Sequence, residues 1–491
     1  MRIPTTLSIF VALLVVLGAR DAHAKGRASF ALVIGTNASV DEDLEPLRYA
    51  DDDAARSFDL FRALGARTYL LARLDDDTAR LHPQAAAEAA NPVDDGLTSV
   101  MKKLSGSIAV ARARGLETSL YVMYAGHGNV DGDRGYITLE DARLYGDDVI
   151  DRVIGAAGAD QTHLIVDACY SYFLAYGRGP GGARRKVEGF SRLTALADEG
   201  KVGLLLSTSS AAESHEWEAY QAGVFSHEIR SGLSGAADAD ADGVVSYREI
   251  SAFVEKANRA IPNERFRPKL HARAPEGTTA LVDIGQGEAS SFIEVDGARS
   301  GHYMLETELG VRLIDFHNAP GQPVKVVRPA KERVFLRRVV DDVEYEVPSD
   351  AETVVKLASL TPKPVRVQGR GAAHHSFSLL FQEPFSVDDV VRYSAADAAV
   401  RTGGWPWASL VGVPMMTAGA LAAVVGVSVL SGAGFLSLTA SPGLSQVEAS
   451  EMTQTILVLD AAGLAAMGVA ALLVGGGGAL FFTLPDGEDE L

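Results

Sequence analysis

Cysteine is nearly missing from this chain: its 491 residues include one, Cys169. A single thiol excludes an internal disulfide, so Cys169 is either an inert core residue or a reactive group. Basic residues are also short. Against 64 Asp and Glu stand 45 Lys and Arg, a formal net charge of −19. That balance excludes a nucleic-acid partner, which needs a basic surface to displace counterions from phosphate, and it suits a cationic substrate or a bound cation. The N-terminal apolar run, Leu7-Ser-Ile-Phe-Val-Ala-Leu-Leu-Val-Val-Leu17, is too short to span a bilayer well. It follows Arg2 and precedes Ala22-His-Ala24, the layout of a secretory signal over residues 1–24 with a mature chain from Lys25.

What is present divides into regions, because 491 residues exceed a single core. Residues 25–285 alternate apolar runs with amphipathic stretches. The runs are Phe30-Ala-Leu-Val-Ile34, Thr68-Tyr-Leu-Leu71, Ser119-Leu-Tyr-Val-Met-Tyr124, His163-Leu-Ile-Val166 and Val202-Gly-Leu-Leu-Leu206. Such runs mark strands buried on both faces, and helical connectors between them make the sheet parallel, an α/β domain. In one connector Leu47, Ala50, Ala54, Phe58 and Phe61 fall at helical spacing. Over residues 286–400 the period changes to two, in short runs broken by Gly, Pro and Asp, which predicts a small β-rich domain.

After Arg401 no charged side chain occurs until Glu448. The apolar stretches 407–436 and 461–484 predict two transmembrane helices within 405–484, led by Trp405 and Trp407 and followed by an acidic tail, 485–491. With a cleaved signal and two spans, the expected protein is exported and anchored in the lipid bilayer. Its α/β domain would lie on the periplasmic or extracytoplasmic side.

Two turns carry the candidate chemistry. One apolar run leads into Tyr124-Ala-Gly-His127-Gly128, another into Val166-Asp-Ala-Cys169. Ligands of open parallel sheets bind outside the carboxyl ends of the strands, so both side chains are expected in one crevice. There an imidazole can take the proton a thiol must lose to become nucleophilic.

These two motifs resemble the histidine and cysteine motifs of the caspase/metacaspase superfamily, whose histidine precedes the cysteine by about 50 residues. Phe30-Ala-Leu-Val-Ile-Gly35 looks like that family's first strand and Gly223-Val-Phe-Ser226 like its late helix start, so the resemblance covers 28 to about 285. It implies a caspase-like, mostly parallel sheet flanked by helices and a cysteine endopeptidase acting on a protein or peptide. Cys169 would be the nucleophile and His127 the base, with the N–H groups of Gly128 and Cys169 as oxyanion hole. Asp167 stands where metacaspases use an Asp to bind Arg or Lys at P1, and Tyr170 departs from the usual His. A carboxylate there favours a basic P1 residue and repels an acidic one. Glu213 is a further candidate for that pocket. A caspase-like scaffold without activity is the alternative; intact His127, Cys169 and Asp167 favour the enzyme.

Asp238-Ala-Asp240-Ala-Asp242-Gly243-Val244-Val-Ser246-Tyr-Arg-Glu249 fits the D-x-D-x-D-G-x5-E calcium loop at every position. Asp238, Asp240, Asp242, the Val244 carbonyl, Ser246 and Glu249 are the expected ligands of a Ca2+ ion across 238–249. No organic cofactor is expected.

Overall fold

The computed structural model describes residues 26–132, 134–169, 171–175, 192–207, 216–217, 222–261, 267–268, 270–285, 291–365 and 380–401. The signal segment 1–24 and the stretches 407–436 and 461–484 lie outside them.

All five apolar runs are strands: β1 (Arg27–Gly35), β2 (Arg67–Ala72), β3 (Glu117–Ala125), β4 (Gln161–Asp167) and β5 (Val202–Ser207). They form one sheet in the order β6-β5-β4-β3-β1-β2. The first five strands pair in parallel, and β6 (Leu270–Arg273) closes the β5 edge antiparallel. Leu32, Leu120, Leu164, Leu204 and Leu206 are almost fully buried, as strands covered on both faces require. Helices α1 (Ala50–Ala63), α2 (Asp94–Ala113) and α3 (Arg192–Asp198) connect them. Ala54, Phe58 and Phe61 of the expected helical stripe are buried on α1.

After α3 come α4 (Val224–Ser231), a short π-helical segment (Gly232–Ala236) and α5 (Tyr247–Ala257). Among the described residues the β-rich part has two sheets. One orders β10 (Val324–Arg328), β7 (Ser291–Val295) and β13 (Val354–Lys356). The other holds β9 (Arg312–Asn318), β8 (Gly301–Thr307), β11 (Val334–Arg338) and β12 (Val343–Val347), with Lys363–Pro364 at its edge. These strands belong to the same compact unit as the parallel sheet, which ends at Val387; the described residues 388–401 belong to a second unit.

One expectation about the fold is corrected. Among the described residues no helix is long and apolar enough to cross a membrane. Helix α2 is 20 residues long but carries Asp94, Asp95, Lys102, Lys103 and Arg112. The last described helix, α6 (Val387–Arg401), has 15 residues, among them Asp388, Asp389 and Arg392. At 1.5 Å per residue it reaches only about 22 Å, against roughly 30 Å of hydrocarbon. The two transmembrane helices expected at 407–436 and 461–484 are not among the described helices, and no described helix supports the membrane-anchored, extracytoplasmic localisation drawn from them.

Candidate functional site

Strands β3 and β4 pair in parallel up to Ala125 opposite Asp167, and the Gly126 N–H continues the ladder to the Asp167 carbonyl at 3.2 Å. His127 and Cys169 each follow two residues beyond that last matched pair. Neighbouring strands lie about 4.8 Å apart, so both turns emerge side by side at the carboxyl end of the sheet. Their backbones touch. A Cβ on Gly128 would stand 2.3 Å from the Cys169 carbonyl oxygen and 3.0 Å from Ala168 Cβ, so glycine is needed there.

The histidine turn is held from below. The Tyr124 hydroxyl lies 2.7 Å from the His127 carbonyl and 2.8 Å from that of Thr138, and the Thr138 N–H donates to the His127 carbonyl at 3.1 Å. The imidazole is partly buried, which lowers its pKa; bonds to the Asn37 and Glu45 carbonyls and the Asp41 charge oppose that shift. Its Nε2 is buried and meets no hydrogen-bond partner among the described residues. A neutral imidazole with one nitrogen uncommitted is equipped to accept a proton. Cys169 is partly exposed, as a nucleophile must be.

Two carboxylates are held together near the end of β4. Asp167, at the end of β4, accepts from the Ser226 N–H at 3.1 Å and the Ser226 hydroxyl at 2.5 Å. Burial pushes its carboxyl up to about 6, Ser226 opposes this, and the neighbouring Asp53 charge adds to it. Asp53, on α1, accepts the Gly223 N–H at 2.6 Å and pairs with Arg230 at 2.8 Å. A Cβ on Gly223 would sit 2.8 Å from an Asp167 oxygen and 3.0 Å from an Asp53 oxygen, so the two acids flank one backbone position. Sequence reasoning missed Asp53. Asp51, Asp52 and Asp53 read as acids in the first turn of a helix, where the macrodipole favours them anyway. Only the fold carries Gly223 and Arg230 back to meet the third of them. Glu213, the other expected acid, lies outside the described residues, as does Tyr170.

The Asp238 loop is built locally. Ligating oxygens of Asp238, Asp240 and Asp242 lie within 4.8 Å of one another. Gly243, at φ +85°, makes the sharp turn the spacing demands. Asp238 accepts the N–H groups of Asp242 and Gly243, at 3.1 and 3.0 Å. Burial and the charges of Glu249, Asp242 and Asp240 raise its carboxyl to about 6 despite the Gly243 bond, the condition a cation would relieve. Glu249 accepts from the Ser246 N–H and hydroxyl, both at 2.8 Å, and from the Ala239 N–H at 3.0 Å. Val244–Ser246 pairs antiparallel with Ala280–Asp283, which steadies the loop from outside.

No protein-family model matches this chain, and no curated protein is similar to it in sequence. Solved structures are similar to it. Caspase-1 from Spodoptera frugiperda aligns over 54% of this chain and 92% of its own length, at 11% identity and a TM-score of 0.34. A structure described as pro-sf-caspase-1 aligns over 54% and 99%, at 12% identity and 0.31. Both likenesses cover about half of this chain at low TM-scores, and no catalytic or binding assignment rests on them.

Proposed function

We propose that this chain is a cysteine endopeptidase that cleaves proteins or peptides after Arg or Lys. The observation that supports it best is the β3–β4 register, in which His127 and Cys169 follow the same rung of adjacent strands. In this reading the His127 imidazole takes the Cys169 thiol proton and the thiolate attacks the scissile carbonyl carbon. The N–H groups of Gly128 and Cys169 receive the oxyanion of the tetrahedral intermediate. Collapse expels the amine, which collects the proton from the imidazolium. A water, activated by His127, then hydrolyses the thioester and restores the thiol.

Asp167 and Asp53 supply the P1 specificity. Two carboxylates fixed by Ser226, Gly223 and Arg230 can form charge-assisted bonds to a guanidinium or ammonium group. An acidic P1 side chain would meet their repulsion. The Asp238 loop would hold Ca2+ through Asp238, Asp240, Asp242 and the Val244 carbonyl. Ser246 and Glu249 can complete the shell once they release each other. The ion would supply rigidity to the loop that joins the α4 segment to α5, not chemistry at the scissile bond.

Hydrolysis of matched Arg and Asp peptides by wild type and Cys169→Ala tests the proposal. Cleavage of the Arg peptide alone, abolished by the substitution, is expected. Preference for Asp would overturn the specificity, and a folded protein inert toward both would leave the scaffold alternative.

A further inference from the structure

All eight residues of α4 are buried, and its polar side chains sort by helical spacing. Ser226 and Arg230, four apart, share one face and meet Asp167 and Asp53. His227 and Ser231, also four apart and turned about 100° from the first pair, share a hydrogen-bond partner in the β-rich region. That residue is Asp315 on β9, fully enclosed. Its carboxylate accepts from His227 Nε2 at 2.9 Å and from His302 Nε2 at 3.0 Å, and it is ion-paired with Arg312. Its own N–H donates to the Ser231 hydroxyl at 3.0 Å. Burial alone would drive such a carboxyl toward its neutral form, but Arg312 and the two imidazoles outweigh it and hold the group well below the usual carboxylate range.

Apolar contacts fix how far a helix stands from its neighbour but restrain rotation about its axis only weakly, because they have little direction. Bonds from Asp315 to both His227 and Ser231 do restrain it. A side-chain atom roughly 6 Å from the axis moves about 1 Å for a 10° turn, and a misplacement of about 1 Å near a reacting substrate can cost up to about a hundredfold in rate.

We propose that Asp315 is a positioning residue for the P1 pocket, setting through His227 and Ser231 the rotation of α4 at which Ser226 and Arg230 hold Asp167 and Asp53. The inference rests on the P1 reading of those two carboxylates. It makes the β-rich region part of the specificity apparatus.

The test is steady-state kinetics on an Arg peptide and its neutral citrulline counterpart, with melting temperature and amide exchange over 223–231 measured on the same samples. Asp315→Asn and His227→Phe are expected to raise KM for the Arg peptide about tenfold and leave kcat within about twofold, so that the preference for Arg over citrulline shrinks. His227→Gln keeps an N–H within reach of Asp315 and is expected to stay near wild type. If Asp315→Asn does not fold, the two His227 variants carry the comparison. Folded variants that keep the wild-type preference, or that lose both activities in proportion, would overturn the proposal. Should wild type cleave neither peptide, the peptidase reading fails, and amide exchange still decides the coupling. Faster exchange over 223–231 in His227→Phe but not in His227→Gln supports it, and equal exchange in both refutes it.

Discussion

Two acidic clusters in this chain are built in opposite ways. Asp238, Asp240 and Asp242 come from five consecutive positions, bond to backbone N–H groups of their own loop, and two of the three are exposed. Asp53 and Asp167 come from a helix and a strand far apart in sequence, and Ser226 and Arg230 of α4, with Gly223 just before it, bind their oxygens. A cluster of the first kind can rearrange around an ion because few other groups depend on it. One of the second kind has its geometry set before a ligand arrives, which lowers the ordering cost of binding. On the proposed reading, the local carboxylates would serve to capture an ion and the assembled ones to discriminate between side chains.

Breaking the assembled cluster should have the largest effect. Asp167→Asn is expected to lower kcat/KM for Arg peptides about a hundredfold by removing a charge-assisted bond of roughly 3 kcal/mol, with little change for a citrulline peptide. Parallel kinetics on the two substrates checks this. Asp53→Asn is expected to lower kcat/KM less, about tenfold, but to destabilise the protein by roughly 3 kcal/mol because it leaves Arg230 buried without its counter-charge. Urea unfolding measures that second effect.

The pH dependence sharpens the same contrast. Burial raises the Asp167 carboxyl to about 6, so the charge proposed to bind a basic P1 residue is present above that value and lost below it. The kcat/KM for Arg peptides is therefore expected to fall as pH drops through about 6, while the citrulline peptide lacks this step. Stability runs the other way. A carboxyl raised on folding favours the native state while it is protonated, and that contribution fades as pH rises from about 4 to about 6. Smallest should be the effect on the local cluster. Chelation by EDTA, or Asp240→Asn, is expected to lower the melting temperature by a few degrees and to change the Arg-over-citrulline preference less than about twofold. A large change in preference on chelation would erase the distinction between the two clusters.

Legibility in the sequence follows the same division. The five strands could be read because each is an unbroken apolar run covered on both faces, and the Asp238 loop because every candidate ligand sits within twelve positions of the chain. The His127 and Cys169 turns could be read from their place after apolar runs and from the resemblance of the motifs around them to those of a known superfamily. Asp53 could not, since its role depends on contacts to Gly223 and Arg230. Asp315 could not either: in sequence it is one polar residue in a strand of period two, and only the meeting of β9 with α4 gives it partners. The transmembrane helices are read from hydropathy alone, and no described helix is long and apolar enough to match them.

Activation of Cys169 by His127 is tested most directly by the rate at which an arginyl chloromethyl ketone alkylates Cys169 in wild type and in His127→Ala. Stoichiometric labelling at Cys169, slowed at least about a hundredfold by the substitution, is the predicted result. Equal rates in the two proteins, or no labelling of a folded wild type, would contradict it.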